Sequence, residues 1–147
     1  MGLIDVLFNK KVLLDSAPLI YYVAEVAPYV DLLEPIFVGI DTSKIQATIA
    51  TITFAEVLVT PLQKRDQETL DRFELLLESE LTGIQVHNLD TEIAKLAARI
   101  RAKYKLKTPD AVQWATFDIC NADYFLTNDK QLKKLDEKRV ILLEEYA

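Results

Sequence analysis

The sequence predicts an α/β domain with a largely parallel sheet covered by helices on both faces. Three observations carry that expectation. Short apolar runs of strand length alternate with stretches of helical periodicity from end to end. Some of the runs are continuously apolar, as in strands buried on both faces. At 147 residues and 50% hydrophobic content, the chain suits one compact domain over residues 1–147. Its 3 Gly and 5 Pro are dispersed, so no linker is expected, and no repeat or low-complexity tract is present.

Val12 to Leu14 is a continuous apolar run ending at Asp15, the pattern of a buried first strand. Ser16 and Pro18 suit the opening turn of a helix through Tyr21 and Tyr22. A second helix is expected from about Tyr29 to Ile40, and the β-branched stretch Gln46 to Ile52 reads as a strand. Thr53 begins the next helix. A further helix, from about Asp66 to Glu80, sets Leu70, Phe73, Leu76 and Leu77 on one stripe. Ile84 to His87 reads as a strand, and Asp90 caps a helix that buries Ile93, Leu96, Ala97 and Ile100. Thr108 and Pro109 form an N-cap and N1 pair before a nearly all-apolar helix from Asp110 to about Cys120. Tyr124 to Leu126 is the next strand, Asn128 to Leu135 a short helix, and Val140 to Leu143 the last strand.

Composition excludes several classes. One cysteine, Cys120, and one histidine, His87, rule out an intramolecular disulfide and a Cys/His zinc cluster, which suits a reducing cytoplasm. No basic segment precedes an apolar core at the start, and Glu56 and Pro61 interrupt the least charged stretch, so neither a signal peptide nor a membrane span is expected. A serine triad is disfavoured by the single histidine and the lack of G-x-S-x-G. Trp114, Phe117, Tyr22 and Cys120 read as packing residues, while Tyr21 is open to lining a cleft and stacking on a base.

The net charge of −6 is unevenly spread, with −8 over residues 1–90 and +2 over residues 91–147. Lys95, Arg99, Arg101, Lys103, Lys105 and Lys107 form a basic run just before Asp110. Lys130, Lys133, Lys134, Lys138 and Arg139 follow Asp129. Positive charge there suits a polyanionic substrate, although solvated helix faces give the same pattern.

Four carboxylates stand beside apolar runs that should be buried: Asp15 in VLLDSAP, Glu56 in TFAEVLV, Asp110 in TPDAVQWAT and Asp129 in YFLTND. Charges in such places need a proton, a partner or a metal. Each also has an ordinary reading. T-F-A-E is a capping box for Glu56, Asp110 complements a helix dipole, and Asp15 and Asp129 suit helix starts. Helix starts that follow parallel strands converge on one edge, where ligands of such sheets bind.

VLLDS, TFAEVLV, TPDAVQWAT and YFLTND, in this order, resemble the four acidic motifs of the PIN-domain nucleases. The likeness is greatest to the toxin ribonucleases of VapBC toxin and antitoxin pairs, and it covers almost the whole chain. It implies a Rossmann-like three-layer α/β/α domain with five parallel strands in order 3-2-1-4-5. It implies Asp15, Glu56, Asp110 and Asp129 as catalytic ligands for Mg²⁺ or Mn²⁺, with Thr127 and Ser16 in support. It further implies hydrolysis of RNA phosphodiester bonds, a cognate antitoxin and a homodimer. Relatives often carry a polar residue where Ala17 stands; Ser16 offers a hydroxyl next to it.

An all-oxygen set without His or Cys suits Mg²⁺, a hard cation that keeps several waters. A haloacid-dehalogenase phosphatase would want Asp at position 17, and a receiver domain would want paired acids before the first strand ends. Other readings of the four acids are a housekeeping RNA-processing PIN nuclease and a non-catalytic binding module whose acids only cap helices. Leu32, Leu33 and Ile36, repeating at helical spacing within Pro28 to Phe37, mark either a partner groove or core packing.

Overall fold

The computed structural model describes residues 1–78 and 82–147. In chain order the elements are α1 (Leu3–Leu7), β1 (Lys11–Leu14), α2 (Ser16–Val23), α3 (Tyr29–Asp41), β2 (Gln46–Ala50), α4 (Ile52–Val57), α5 (Val59–Gln63) and α6 (Gln67–Leu77). They continue with β3 (Ile84–His87), α7 (Thr91–Tyr104), α8 (Thr108–Ile119), β4 (Tyr124–Thr127), α9 (Lys130–Lys133) and β5 (Val140–Leu142), followed by a 3₁₀ turn, Leu143–Glu145. The five strands pair in the order β3-β2-β1-β4-β5 and every pairing is parallel. The expected α/β layering and strand order are therefore present.

Strand residues divide between two cores, as side chains alternate across a sheet. Val12, Leu14, Leu126 and Ile141 join α1, α2, α3 and α6 in one cluster. Leu13, Phe125 and Val140 join α7 and α8 in the other. Both faces are covered, which is why the apolar runs are continuous rather than alternating.

Several boundaries differ from the expected ones. The second strand stops at Ala50, because Thr51 donates its N–H to His87 O and its hydroxyl accepts from Leu89 N. Thr51, not Thr53, is then the N-cap of α4. Lys107 is the N-cap of α8, so Thr108 is already helical. The fourth strand extends to Thr127 and α9 is shorter than Asn128 to Leu135, beginning only after Asp129. For the helix expected over Asp66 to Glu80, the observed part is Gln67–Leu77, and its expected end lies outside the described residues. The helices α1 and α5 have no counterpart in the sequence reading.

Candidate active site

The register of β1 on β4 pairs Leu14 with Leu126. Asp15 and Thr127 therefore leave adjacent strands side by side, at the edge where the carboxyl ends of the parallel strands meet and the strand order reverses. Thr127 Oγ1 donates to Asp15 Oδ2 at 2.7 Å and accepts from Asp129 N at 3.0 Å. One buried hydroxyl thus ties the first acid to the backbone of the fourth.

Asp15 is only 8% exposed. Its Oδ1 accepts from Ser16 N at 2.8 Å and from the Ser16 hydroxyl at 3.4 Å, so Asp15 does cap α2. Asp129 also caps its helix, with Oδ1 accepting from Gln131 N at 2.9 Å. Asp110 lies in the first turn of α8 and makes no side-chain hydrogen bond among the described residues. Glu56 does not close a capping box with Thr53. Its Oε1 instead accepts from Gln113 Nε2 at 3.1 Å, and that same Nε2 donates to Thr53 Oγ1 at 2.8 Å.

The electrostatics show that the four acids share one space. Burial pushes the Asp15 carboxyl above its usual range, hydrogen bonds from Thr127 and Ser16 draw it back, and Asp129 adds repulsion. Glu56 is raised by burial and by Asp15 and Asp110, against hydrogen bonds from Gln113 and Ser16. Asp110 is raised by burial, then by Asp129 and Asp15, with Lys107 opposing. None of the four forms an ion pair among the described residues.

The residues fit a divalent cation by their chemistry: oxygen donors, Asp15 buried and the other three half-buried, that repel one another and form no ion pair among the described residues, with Lys107 offsetting part of the charge at Asp110. Among the described residues, no three Asp, Glu, His or Cys side chains stand close enough to enclose an ion by themselves. Mg²⁺ does not demand that, since it commonly takes one or two carboxylates directly and keeps waters for the others to hold.

The sequence did not single out Gln113, and it offered Thr53 only as a helix start and capping-box residue, not as Gln113's partner. The available signal was a polar Gln one turn beyond Asp110 in an otherwise apolar helix. Gln113 is 1% exposed and its Oε1 has no hydrogen-bond partner among the described residues, a cost of about 1–3 kcal/mol that a packing role alone does not explain.

The other singled-out residues divide more simply. Trp114, Phe117 and Cys120 are buried in the second core, as expected. Tyr22 stacks on Phe37 at 3.9 Å and Tyr21 on Tyr29 at 4.6 Å, so packing occupies a face of each ring. Leu33 and Ile36 are core, and Leu32 packs against it, which answers the stripe within α3. In the second basic run, Lys130, Lys133 and Arg139 pair with Glu144, Glu145 and Asp136. No cation of the first run is paired with a carboxylate among the described residues, and Lys107 is near enough to Asp110 to act on it.

The fold and this acid edge define a class: the chain belongs to the PIN domain family, which its residues 12–138 match, and PIN domains are nucleases acting on phosphodiester bonds. Among solved structures it is similar to a chain of a toxin-antitoxin complex from Klebsiella pneumoniae, 26% identical, with a TM-score of 0.66 over 90% of this chain and 97% of that one. It also shares its fold with a chain of VapBC2 from Rickettsia felis bound to a DNA fragment from their promoter, at 14% identity and a TM-score of 0.65 over 90% and 98% of the two chains. A search of curated proteins finds no match.

Proposed function

We propose that this protein is a Mg²⁺- or Mn²⁺-dependent endoribonuclease, the toxin of a toxin and antitoxin pair, with Asp15, Glu56, Asp110 and Asp129 as its metal-binding acids. The observation that carries this reading is the mutual repulsion of those four acids, none of them ion-paired among the described residues, around the strand-end edge that Asp15 and Asp129 occupy. A bound divalent cation would supply a water of lowered pKa and neutralise charge developing on the phosphate. Asp15 is oriented by Thr127 and Ser16, so its carboxylate needs no reorganisation to bind. Asp129 is fixed by its cap on α9, Asp110 by its helix, and Glu56 by Gln113. Lys107 and the cations before it, none ion-paired among the described residues, lead into Asp110's helix, where they can receive the phosphates of an RNA strand.

The antitoxin part of the proposal draws on the similarity to the Klebsiella complex. A groove of about 450 Å³ between α2, α3 and α6 is lined by Tyr22, Val23, Val30, Leu75 and Leu76 together with Glu25, Glu34, Arg72 and Thr82, a mixed apolar and charged surface that could take a partner segment carrying both. A homodimer of one-domain subunits is the proposed assembly, measurable by light scattering. No helix among the described residues is long and apolar enough to cross a membrane, and the proposed location is the cytoplasm.

The test is incubation of purified wild type and Asp15→Asn with mixed RNA, with Mg²⁺, with Mn²⁺ and with chelator. Cleavage should require the metal and fall at least about a hundredfold in the variant, a loss of roughly 3 kcal/mol in transition-state stabilisation. Equal cleavage by a folded Asp15→Asn protein, contaminating nuclease excluded, would refute the assignment. A housekeeping nuclease differs only in the biology: expression would not be toxic, and no co-encoded protein would relieve it.

A further inference from the structure

We propose that Gln113 is a positioning residue that holds the Glu56 carboxylate in place for a divalent cation, with Thr53 as its anchor. The proposal rests on the metal-site reading above. It starts from the difference between Glu56 and the other acids. Asp15 and Asp129 are short side chains held by backbone N–H groups, and Asp110 is a short side chain in the first turn of a twelve-residue helix. Glu56 has one more rotatable bond and stands on a six-residue helix, so it has the most conformational freedom to lose.

Gln113 removes that freedom. Its amide nitrogen donates to Thr53 Oγ1 at 2.8 Å and to Glu56 Oε1 at 3.1 Å. Thr53 and Glu56 are three residues apart, hence on one face of α4. Gln113 is likewise three residues beyond Asp110, so the clamp joins the helix of the second acid to the helix of the third. Thr53 is fully buried and gives the amide a fixed base.

Among the described residues Gln113 Oε1 accepts no hydrogen bond, and the two bonds of Nε2 account for the amide's orientation. Turning the amide over would place Oε1 against a Glu56 oxygen at about the same 3.1 Å, acceptor facing acceptor. The orientation present leaves one buried acceptor unmade and keeps an N–H on the carboxylate. A residue needed only for packing would be apolar at this position, as Val112, Trp114 and Ala115 beside it are.

The test titrates wild type, Gln113→Met, Thr53→Val and the double variant with Mn²⁺ by calorimetry. RNA cleavage and the metal-free melting temperature are measured alongside. Gln113→Met should bind Mn²⁺ about tenfold more weakly, as loss of a ligand-orienting hydrogen bond does. Thr53→Val should weaken binding in the same direction, and the double variant should bind no worse than Gln113→Met, because both changes break one clamp. Wild-type affinity in a folded Gln113→Met protein, with only its melting temperature lowered, would overturn the proposal while leaving the metal site standing. Should Gln113→Met not fold, unchanged Mn²⁺ affinity in Thr53→Val overturns it equally. A wild type that binds no Mn²⁺ would overturn both this inference and the reading beneath it.

Discussion

Asp15 illustrates what happens to a single side chain at this edge. A carboxylate that is 8% exposed is tolerated because a hydroxyl and a backbone N–H donate to it. Thr127→Val keeps the shape of that donor but removes its bond to Asp15 and leaves Asp129 N without an acceptor. The expected loss is roughly 1–3 kcal/mol of stability, readable by urea unfolding. Mn²⁺ affinity should fall about ten- to a hundredfold with it. From the sequence, Thr127 and Ser16 were visible as hydroxyls near the acids, through their places in the motifs. Gln113 was not, because one polar residue in an apolar helix has the same appearance whether or not it reaches another helix.

Among the elements, α8 carries two of the site residues and much of the second core. Its first turn carries Asp110, its next turn Gln113, and its remainder anchors the second core. Phe117 is fully buried, meets Phe125 edge to face at 5.5 Å and lies beneath the Arg139 guanidinium at 4.7 Å. Phe117→Ala should cost about 3–5 kcal/mol, a large part of the roughly 5–15 kcal/mol that holds a domain folded. The midpoint of denaturant unfolding should drop accordingly, while Mn²⁺ affinity of the folded fraction stays near that of wild type. Helix existence was legible here because Pro109 and a long apolar stretch are local signals. The capping box expected at Thr53 and Glu56 was misread: its spacing is correct, but α4 starts earlier, at Ile52, and Thr53 lies inside it.

For the molecule as a whole, the raised carboxyls of the acid edge make stability depend on pH, and the proposed metal site predicts a dependence on divalent cation as well. Asp110 has a raised folded-state pKa, so as pH rises the unfolded chain ionises first, near 3.8, and the native state follows later. Stability is therefore lost as pH climbs from that value through the raised one, and the full loss persists above it. In chelator, Asp110→Asn should melt higher than wild type at pH 7.5, by about 2–4 °C for each kcal/mol of burial cost and repulsion relieved, and equal to it near pH 3. With saturating Mn²⁺ the order should reverse, because wild type alone gains the full linkage, about 2.7 kcal/mol at a hundred times Kd. Scanning calorimetry over the four conditions checks both signs.

The sequence by itself determined the alternation of strands and helices, the absence of a Cys/His metal cluster, and the positions of four acids beside buried runs. These are local properties, set by periodicity, capping residues and composition within a few positions of each residue. The tertiary structure alone decided which of those groups meet. Asp15 and Thr127, 112 residues apart, touch because β1 and β4 pair in one register. Gln113 reaches Glu56, 57 residues away, because α8 packs on α4. Strand register and helix packing are settled by the whole buried surface together, so no stretch of sequence around either partner contains them.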